Sequence, residues 1–133
     1  MASNLALYSE NKILELLVGK TAYATPTAYI GLFTGIPDED GAGGTEASAG
    51  NYVRKSTAGG DWEAAASGAI QNANDITFIE CAAGNWGTIV GIGIFDAESG
   101  GNMAVWMPLG ANKVVDIGDT FRLEAGDIDL TAA

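Results

Sequence analysis

The chain has 133 residues, 47% of them hydrophobic and 17% charged, enough apolar material for one compact core. Six Lys and Arg against seventeen Asp and Glu leave a net charge of −11, a field that repels phosphate backbones and anionic headgroups, so neither nucleic acid nor a membrane surface is an expected partner. Histidine is absent and Cys81 is the only cysteine, which excludes Ser-His-Asp and Cys-His catalysis, an intramolecular disulfide and a thiolate zinc site.

The opening residues Met1 to Leu7 carry no basic leader, and no apolar run approaches the roughly 20 residues that span a bilayer. A chain made in the cytoplasm is the expectation. Nineteen glycines disfavour long helices and suit short strands joined by turns.

One helix is predicted, over residues 1–18. Ser3 or Asn4 is placed to cap it, Leu5, Tyr8, Ile13, Leu16 and Leu17 recur near helical spacing, and Gly19 ends it. The segment Val18-Gly19-Lys20-Thr21 has the tail of a phosphate-binding loop, but Leu14 stands where that loop needs glycine, so a helix C-cap is the reading. From Thr27 to Thr34 the period changes to two with apolar residues on both sides, which predicts a buried strand.

Residues 37–51 then read as a long mobile loop, carrying Asp38, Glu39, Asp40 and the run Gly41-Ala42-Gly43-Gly44. Tyr52 to Thr57 resumes a strand, Gly59-Gly60 turns it, and a weak strand near Trp62 leads to Ala69-Ile70-Gln71. Asp75 to Glu80 alternates Ile76 and Phe78 against Thr77 and Ile79. In the Ile- and Val-rich run Thr88 to Asp96, Gly91 and Gly93 signal close backbone approach or a bulge.

Ser99-Gly100-Gly101-Asn102 separates Ile89–Phe95 from Met103–Leu109 as a hairpin turn does. Lys113–Ile117, Thr120–Glu124 and Ile128–Thr131 follow as three more short runs. A helix, then about eight short strands without crossover helices, predicts an all-β fold: a single domain over 1–133, with an antiparallel sandwich or jelly-roll-like β-domain over 27–133.

The carboxylates cluster at 38–40, at Asp116 and Asp119, and at Asp127 and Asp129. A calcium loop started at Asp38 would put Ala49 where the bidentate glutamate belongs, so solvated loop charge is the expectation. Two carboxylates suffice for glycoside hydrolysis, but nothing in the sequence pairs them or builds a cleft, and no enzyme activity, catalytic residue, cofactor or metal is expected.

Trp62, Trp86 and Trp106 suit a sugar platform less than a core or an interface. Arg54 and Arg122, the only arginines, sit among apolar strand residues and are expected to pair with carboxylates at a sheet surface or subunit contact. Cys81 reads as a small buried hydrophobe. Partner contacts are expected from Leu5, Tyr8 and Ile13 on the helix, Asp38, Glu39 and Asp40 on the loop, and Arg54, Trp62 and Trp86.

In order, Tyr29-Ile30-Gly31-Leu32-Phe33-Thr34, Gly43-Gly44-Thr45-Glu46, Tyr52-Val53-Arg54, Trp86-Gly87-Thr88, Gly93-Ile94-Phe95-Asp96-Ala97, Ser99-Gly100-Gly101-Asn102, Trp106, Gly118-Asp119-Thr120-Phe121-Arg122 and Ala125-Gly126-Asp127 run along the chain behind the helix. This pattern resembles a family of small virion proteins of tailed bacteriophages often labelled tail fibre proteins. The resemblance implies a structural role in the particle without catalysis.

The sequence has no coiled-coil shaft, and small head decoration proteins resemble it in being β-rich and commonly trimeric. The expectation is therefore a capsid decoration (cement) protein on the outer head surface. It would bind the major capsid protein, form a homo-oligomer, with a trimer as the guess, and stabilise the shell. The alternative is a tail or tail-fibre module, bound to tail proteins, for host recognition or fibre attachment.

Overall fold

Residues 4–132 are described by the structure, a computed structural model. In chain order they form β1 (Asn4–Leu5), α1 (Leu7–Leu17), β2 (Tyr29–Gly35), β3 (Thr45–Glu46), β4 (Lys55–Ser56), a 3-10 turn (Gly59–Asp61), β5 (Ala69–Gln71), β6 (Ile76–Thr77), β7 (Gly87–Phe95), β8 (Met103–Val115), β9 (Arg122–Leu123) and β10 (Asp129–Thr131). The fold is all-β and antiparallel, with one short helix at its start.

The main sheet runs β1-β8-β7-β2, and β3 and β4 pair with successive stretches of the free edge of β2. The β7–β8 hairpin forms around the glycine turn at 99–102, as its signal predicts. Asp96 closes that turn by accepting from the Asn102 backbone N–H at 2.7 Å. β8 is longer than its sequence suggests. The run at 113–117 is continuous with it as far as Val115, because the one residue of β7 between Ile89 and Gly91 faces the four of β8 between Pro108 and Lys113, a bulge that begins at Pro108, which has no N–H to donate.

One face of the sheet is the core. Ile30 and Leu32 of β2, Ile92 and Ile94 of β7, and Val105 and Met107 of β8 alternate onto it. They pack against Ile76, Phe78, Trp86, Phe121, Leu123 and Ile128, which belong to a second layer of two short ribbons, β5–β10 and β6–β9, and their flanking segments. The alternation of buried Ile76 and Phe78 with exposed Thr77 and Ile79 holds as read from sequence.

Strands this short contribute few ladder bonds, so side-chain amides hold the second layer. Fully buried Asn72 donates through Nδ2 to the carbonyls of Asn74 (2.8 Å) and Glu124 (2.9 Å) and accepts from the Ile128 N–H (2.9 Å). Asn51 accepts through Oδ1 from the Ala82 N–H and Trp86 Nε1, and donates to the Glu80 carbonyl. Each amide uses donors and acceptors that backbone pairing would otherwise supply.

The chain start differs from expectation. Asn4 and Leu5 do not open the helix; they pair with Trp106 and Val105 at the edge of β8. The Ser3 cap lies outside the described residues, and Ala6 takes the N-cap position with no side-chain cap. The Leu7 N–H donates instead to the Asp40 carbonyl at 3.2 Å, so the 37–51 segment supplies the acceptor that a capping side chain would have given. Gly19, at φ +73°, ends the helix as predicted, with Lys20 N–H bonded back to the Glu15 carbonyl at 2.9 Å.

Segment 37–51 is irregular for much of its length but carries β3. Asp38 Oδ1 accepts from the backbone of Asp40 and Ala42, and buried Ala47 bonds the Leu32 carbonyl.

On the second face of the sheet, Gly31 and Gly93 lie directly opposite each other across β2 and β7. A Cβ on Gly93 would stand 2.5 Å from Phe33 Cε2 and 2.9 Å from Met103 Sδ, so the missing side chains make a trough for neighbouring rings. Gly93→Ala is expected to destabilise the fold by about 1–3 kcal/mol through overpacking. Gly59→Ala, where a Cβ meets nothing within 4 Å, serves as the control. Urea unfolding of both variants measures the difference, and equal midpoints would contradict the trough.

Candidate docking surface

The trough is filled by the most connected polar group of the protein. Phe33 and Phe95 stack over it with ring centroids 6.0 Å apart. The Arg54 guanidinium lies 3.5 Å from the centre of the Phe95 ring. Arg54 donates through Nε to Glu46 Oε2 and through Nη2 to Glu46 Oε1, both at 2.8 Å, a bidentate pair. Its Nη1 donates to the carbonyls of Ala97 and Gly100, also at 2.8 Å.

Glu46 Oε2 accepts a further bond from Tyr52 Oη at 2.6 Å, and that phenol oxygen accepts from the Leu32 backbone N–H at 2.9 Å. With the Arg54 side chain 7% exposed and that of Glu46 24%, this is an internal clamp. It joins β3, the segment before β4 and the 96–101 turn to the sheet. Burial, and then the bond to Glu46, push the Tyr52 phenol well above its ordinary value. The folded state thus favours the neutral phenol, and that contribution to stability is complete below about pH 10 and lost progressively as pH rises above it.

The expected contact residues separate into two sets. Arg54 pairs with a carboxylate, as anticipated, but inside the protomer. Trp86 is 3% exposed and sits in the core with its ring edge-on to Tyr52 and Phe78, so it has no surface to offer a partner. Trp62 is half-buried against the same core, its Nε1 donating to Thr57 Oγ1. Trp106 lies on β8 opposite Asn4, and no ring contact joins any two tryptophans among the described residues.

Arg122 is exposed and pairs loosely with Glu124 and Asp75. Cys81 is fully buried, as its neighbours suggested, and its thiol donates to the Gly84 carbonyl.

The 38–40 loop meets the first turn of α1, while Leu5 and Ile13 meet in a separate groove and Tyr8 makes a ring contact. Asp40 receives the first N–H of α1, and Gly41 packs against Ala6 and Met103. Tyr8 meets Tyr23 edge-on and carries the Lys12 ammonium over its ring. Leu5 and Ile13 line an apolar groove of about 230 Å³ with Ile70, Val105 and Leu130. Ser9, absent from the sequence reading, is the helix residue most buried, its small side chain letting α1 approach the sheet. Leu7, Leu14, Leu17 and Val18 are left outside at 47, 62, 75 and 79% exposure.

The aspartates act on turns. Asp38, Asp61, Asp75, Asp96, Asp119 and Asp127 each accept a backbone N–H from their own or a neighbouring turn. The Asp61 carboxyl is held below its ordinary value by the Ala58 N–H and then by Asn74. Among the described residues no three carboxylates or thiols converge on a metal-sized site, and no helix is long and apolar enough to cross a membrane.

The arrangement therefore offers a clamped β body with a partly packed apolar helix on one end. A family described as podophage GP4 fiber I protein gp80 matches residues 4–131. The chain belongs to this fibre family. Its members' description makes the protein a structural component of a bacteriophage virion. No curated protein matches the chain.

In this fibre-family protein the clamp, not the core alone, holds the long connections. Arg54→Ala is expected to cost about 3–5 kcal/mol by leaving Glu46 buried without its partner, and Arg54→Lys less, because a lysine keeps the charge without the fork. Denaturant unfolding monitored by tryptophan fluorescence measures both. A loss below about 1 kcal/mol for Arg54→Ala, the range of a surface pair, would contradict the internal clamp.

Proposed function

We propose that the protein is a non-catalytic module of the tail fibre apparatus, attached through the α1 end of the molecule to another structural protein of the virion. The family match over residues 4–131 carries this reading, because it covers the helix and the β body together. The helix end is the favoured attachment surface because it gathers exposed apolar side chains beside an apolar groove, the composition of a protein–protein contact. Recognition of a host glycan is less well supported, since the tryptophans that would make a stacking platform are half-buried or in the core.

The decoration reading rests on the compact body and the lack of a shaft in the sequence, and binding to a head lattice would use the same end. The fibre description favours the tail. No His is present, and the single thiol is buried in the core, so the module acts by binding and by its stiffness.

Cryo-electron microscopy of the virion, with the chain located by an antibody fragment, tests this. The expected result is a small number of copies at the tail, with density for α1 at the contact. Copies repeated over the head lattice would overturn the fibre reading and establish decoration.

A further inference from the structure

In most of the protein, polar side chains are spent on the fold: Arg54 on its clamp, and the aspartates on turn N–H groups. One open depression of about 450 Å³ is the exception. Its floor is the β6–β9 ribbon, where Thr77 pairs with Arg122 and buried Phe121 and Leu123 alternate with exposed Thr120, Arg122 and Glu124. The bulge of β8 ends at Lys113 on its wall, and the turn after Glu124 adds Asp127.

The groups around it are largely unused. The hydroxyls of Thr77 and Thr120 and the Lys113 ammonium make no hydrogen bond or ion pair among the described residues, and the ammonium lies 5.4 Å from the centre of the Phe121 ring. Arg122 reaches Glu124 at 3.2 Å and Asp75 at 3.9 Å, which leaves most of its N–H donors unspent. Asp127 gives one oxygen to the Glu124 N–H. Past Lys113 and Asp127 the depression continues into a second of similar size, lined by Leu109, Ala111 and Leu123.

The charges decide what such a site takes. Lys113 and Arg122 stand among Glu124 and Asp127, with Asp75 beside Arg122 and Asp129 in the continuation. Carboxylates outnumber cations, so an anion is disfavoured here as it is by the −11 of the whole chain. A cation would meet Lys113 and Arg122 in the same space. Hydrogen bonding remains, with donors and acceptors interleaved beside a strip of apolar surface. A ring that carries several hydroxyls, each able to donate and accept, and C–H faces between them matches that pattern.

We propose that the depression between the β6–β9 ribbon and the β8 bulge binds a short neutral saccharide. Thr77, Thr120, Lys113 and Arg122 donate to its hydroxyls, and Glu124 and Asp127 accept from them. No aromatic face is open in the site, since Phe121 is 2% exposed, so affinity rests on hydrogen bonds exchanged with water and is weak, about millimolar. None of these residues belongs to α1 or to the groove at Leu5 and Ile13, so the site does not depend on attachment through the helix end.

Amide NMR titration of the full chain with maltotriose and triacetylchitotriose, and with trigalacturonate as the charged counterpart, tests the proposal. At least one neutral trisaccharide is expected to give saturable shifts confined to residues 77, 109–113 and 120–127, and to bind more tightly than trigalacturonate. Thr77→Val with Thr120→Val removes both hydroxyls and keeps the branched strand residues. It should bind roughly tenfold more weakly with the thermal midpoint of the wild type, and so should Lys113→Met, which removes the ammonium from an exposed position. No saturable shift with either neutral sugar would overturn the proposal, as would tighter binding of trigalacturonate, shifts centred elsewhere, or undiminished binding by the variants.

Discussion

The bidentate pair between Arg54 and Glu46 is the contact on which the arrangement of the long connections depends. It forms only because Gly31 and Gly93 face each other across β2 and β7, leaving room for the Phe33 and Phe95 rings and for the guanidinium on the Phe95 face. From that position Arg54 reaches the carbonyls of Ala97 and Gly100 while holding Glu46 on β3, so the β7–β8 turn and segment 37–51 are tied to one cation. Tyr52 extends the network to the Leu32 N–H in the middle of β2. Removing the cation would leave a half-buried carboxylate and two carbonyls without their shared donor.

The same economy governs the acidic residues. With ten strands among the described residues, mostly of two or three residues, turns carry much of the backbone, and their free N–H groups need acceptors. Aspartate supplies them at six turns, while Asn51 and Asn72 do so inside the second layer. A high negative charge is thus in part a by-product of turn chemistry; residues 1–37 carry none of the excess, although the acidic 38–40 loop bonds the first turn of the helix.

Much of this fold was legible in the sequence. The alternation at Ile76 and Phe78, the hairpin at Ser99-Gly100-Gly101-Asn102, the buried strand before Thr34 and the helix stop at Gly19 are local signals that tertiary structure leaves intact. The two-residue strands β1 and β3 were not legible, because no period can be read from two residues and each exists only through its partner edge, while of the strand read over Tyr52–Thr57 only Lys55–Ser56 pairs, as β4. The split of β8 at 110–112 failed for a related reason: the bulge at Pro108 interrupts the alternation without ending the strand.

For the candidate surface, Leu5, Tyr8 and Ile13 were found by their spacing although Leu5 lies in β1, and the bond of the 38–40 loop to the start of α1 is a long-range fact. Arg54 could be recognised as a carboxylate partner but not as internal, since the sequence does not record the trough beside Gly93, and the core-or-interface expectation for Trp86 resolves to the core only with the acceptor at Asn51. Ser9 gave no signal, because a serine on the packed face of a helix looks polar until its distance to the sheet is known.

The structure is a clamped β body, and on the proposed reading its α1 end makes the contact by which this virion component is built in. Amide hydrogen exchange, compared between the dilute free chain and the chain assembled in the particle, tests that account most directly. It predicts new protection concentrated in residues 7–18, with β2, β7 and β8 and the 96–101 turn equally protected in both states. New protection confined to 77–82 and 117–124, with residues 7–18 unchanged, would contradict it.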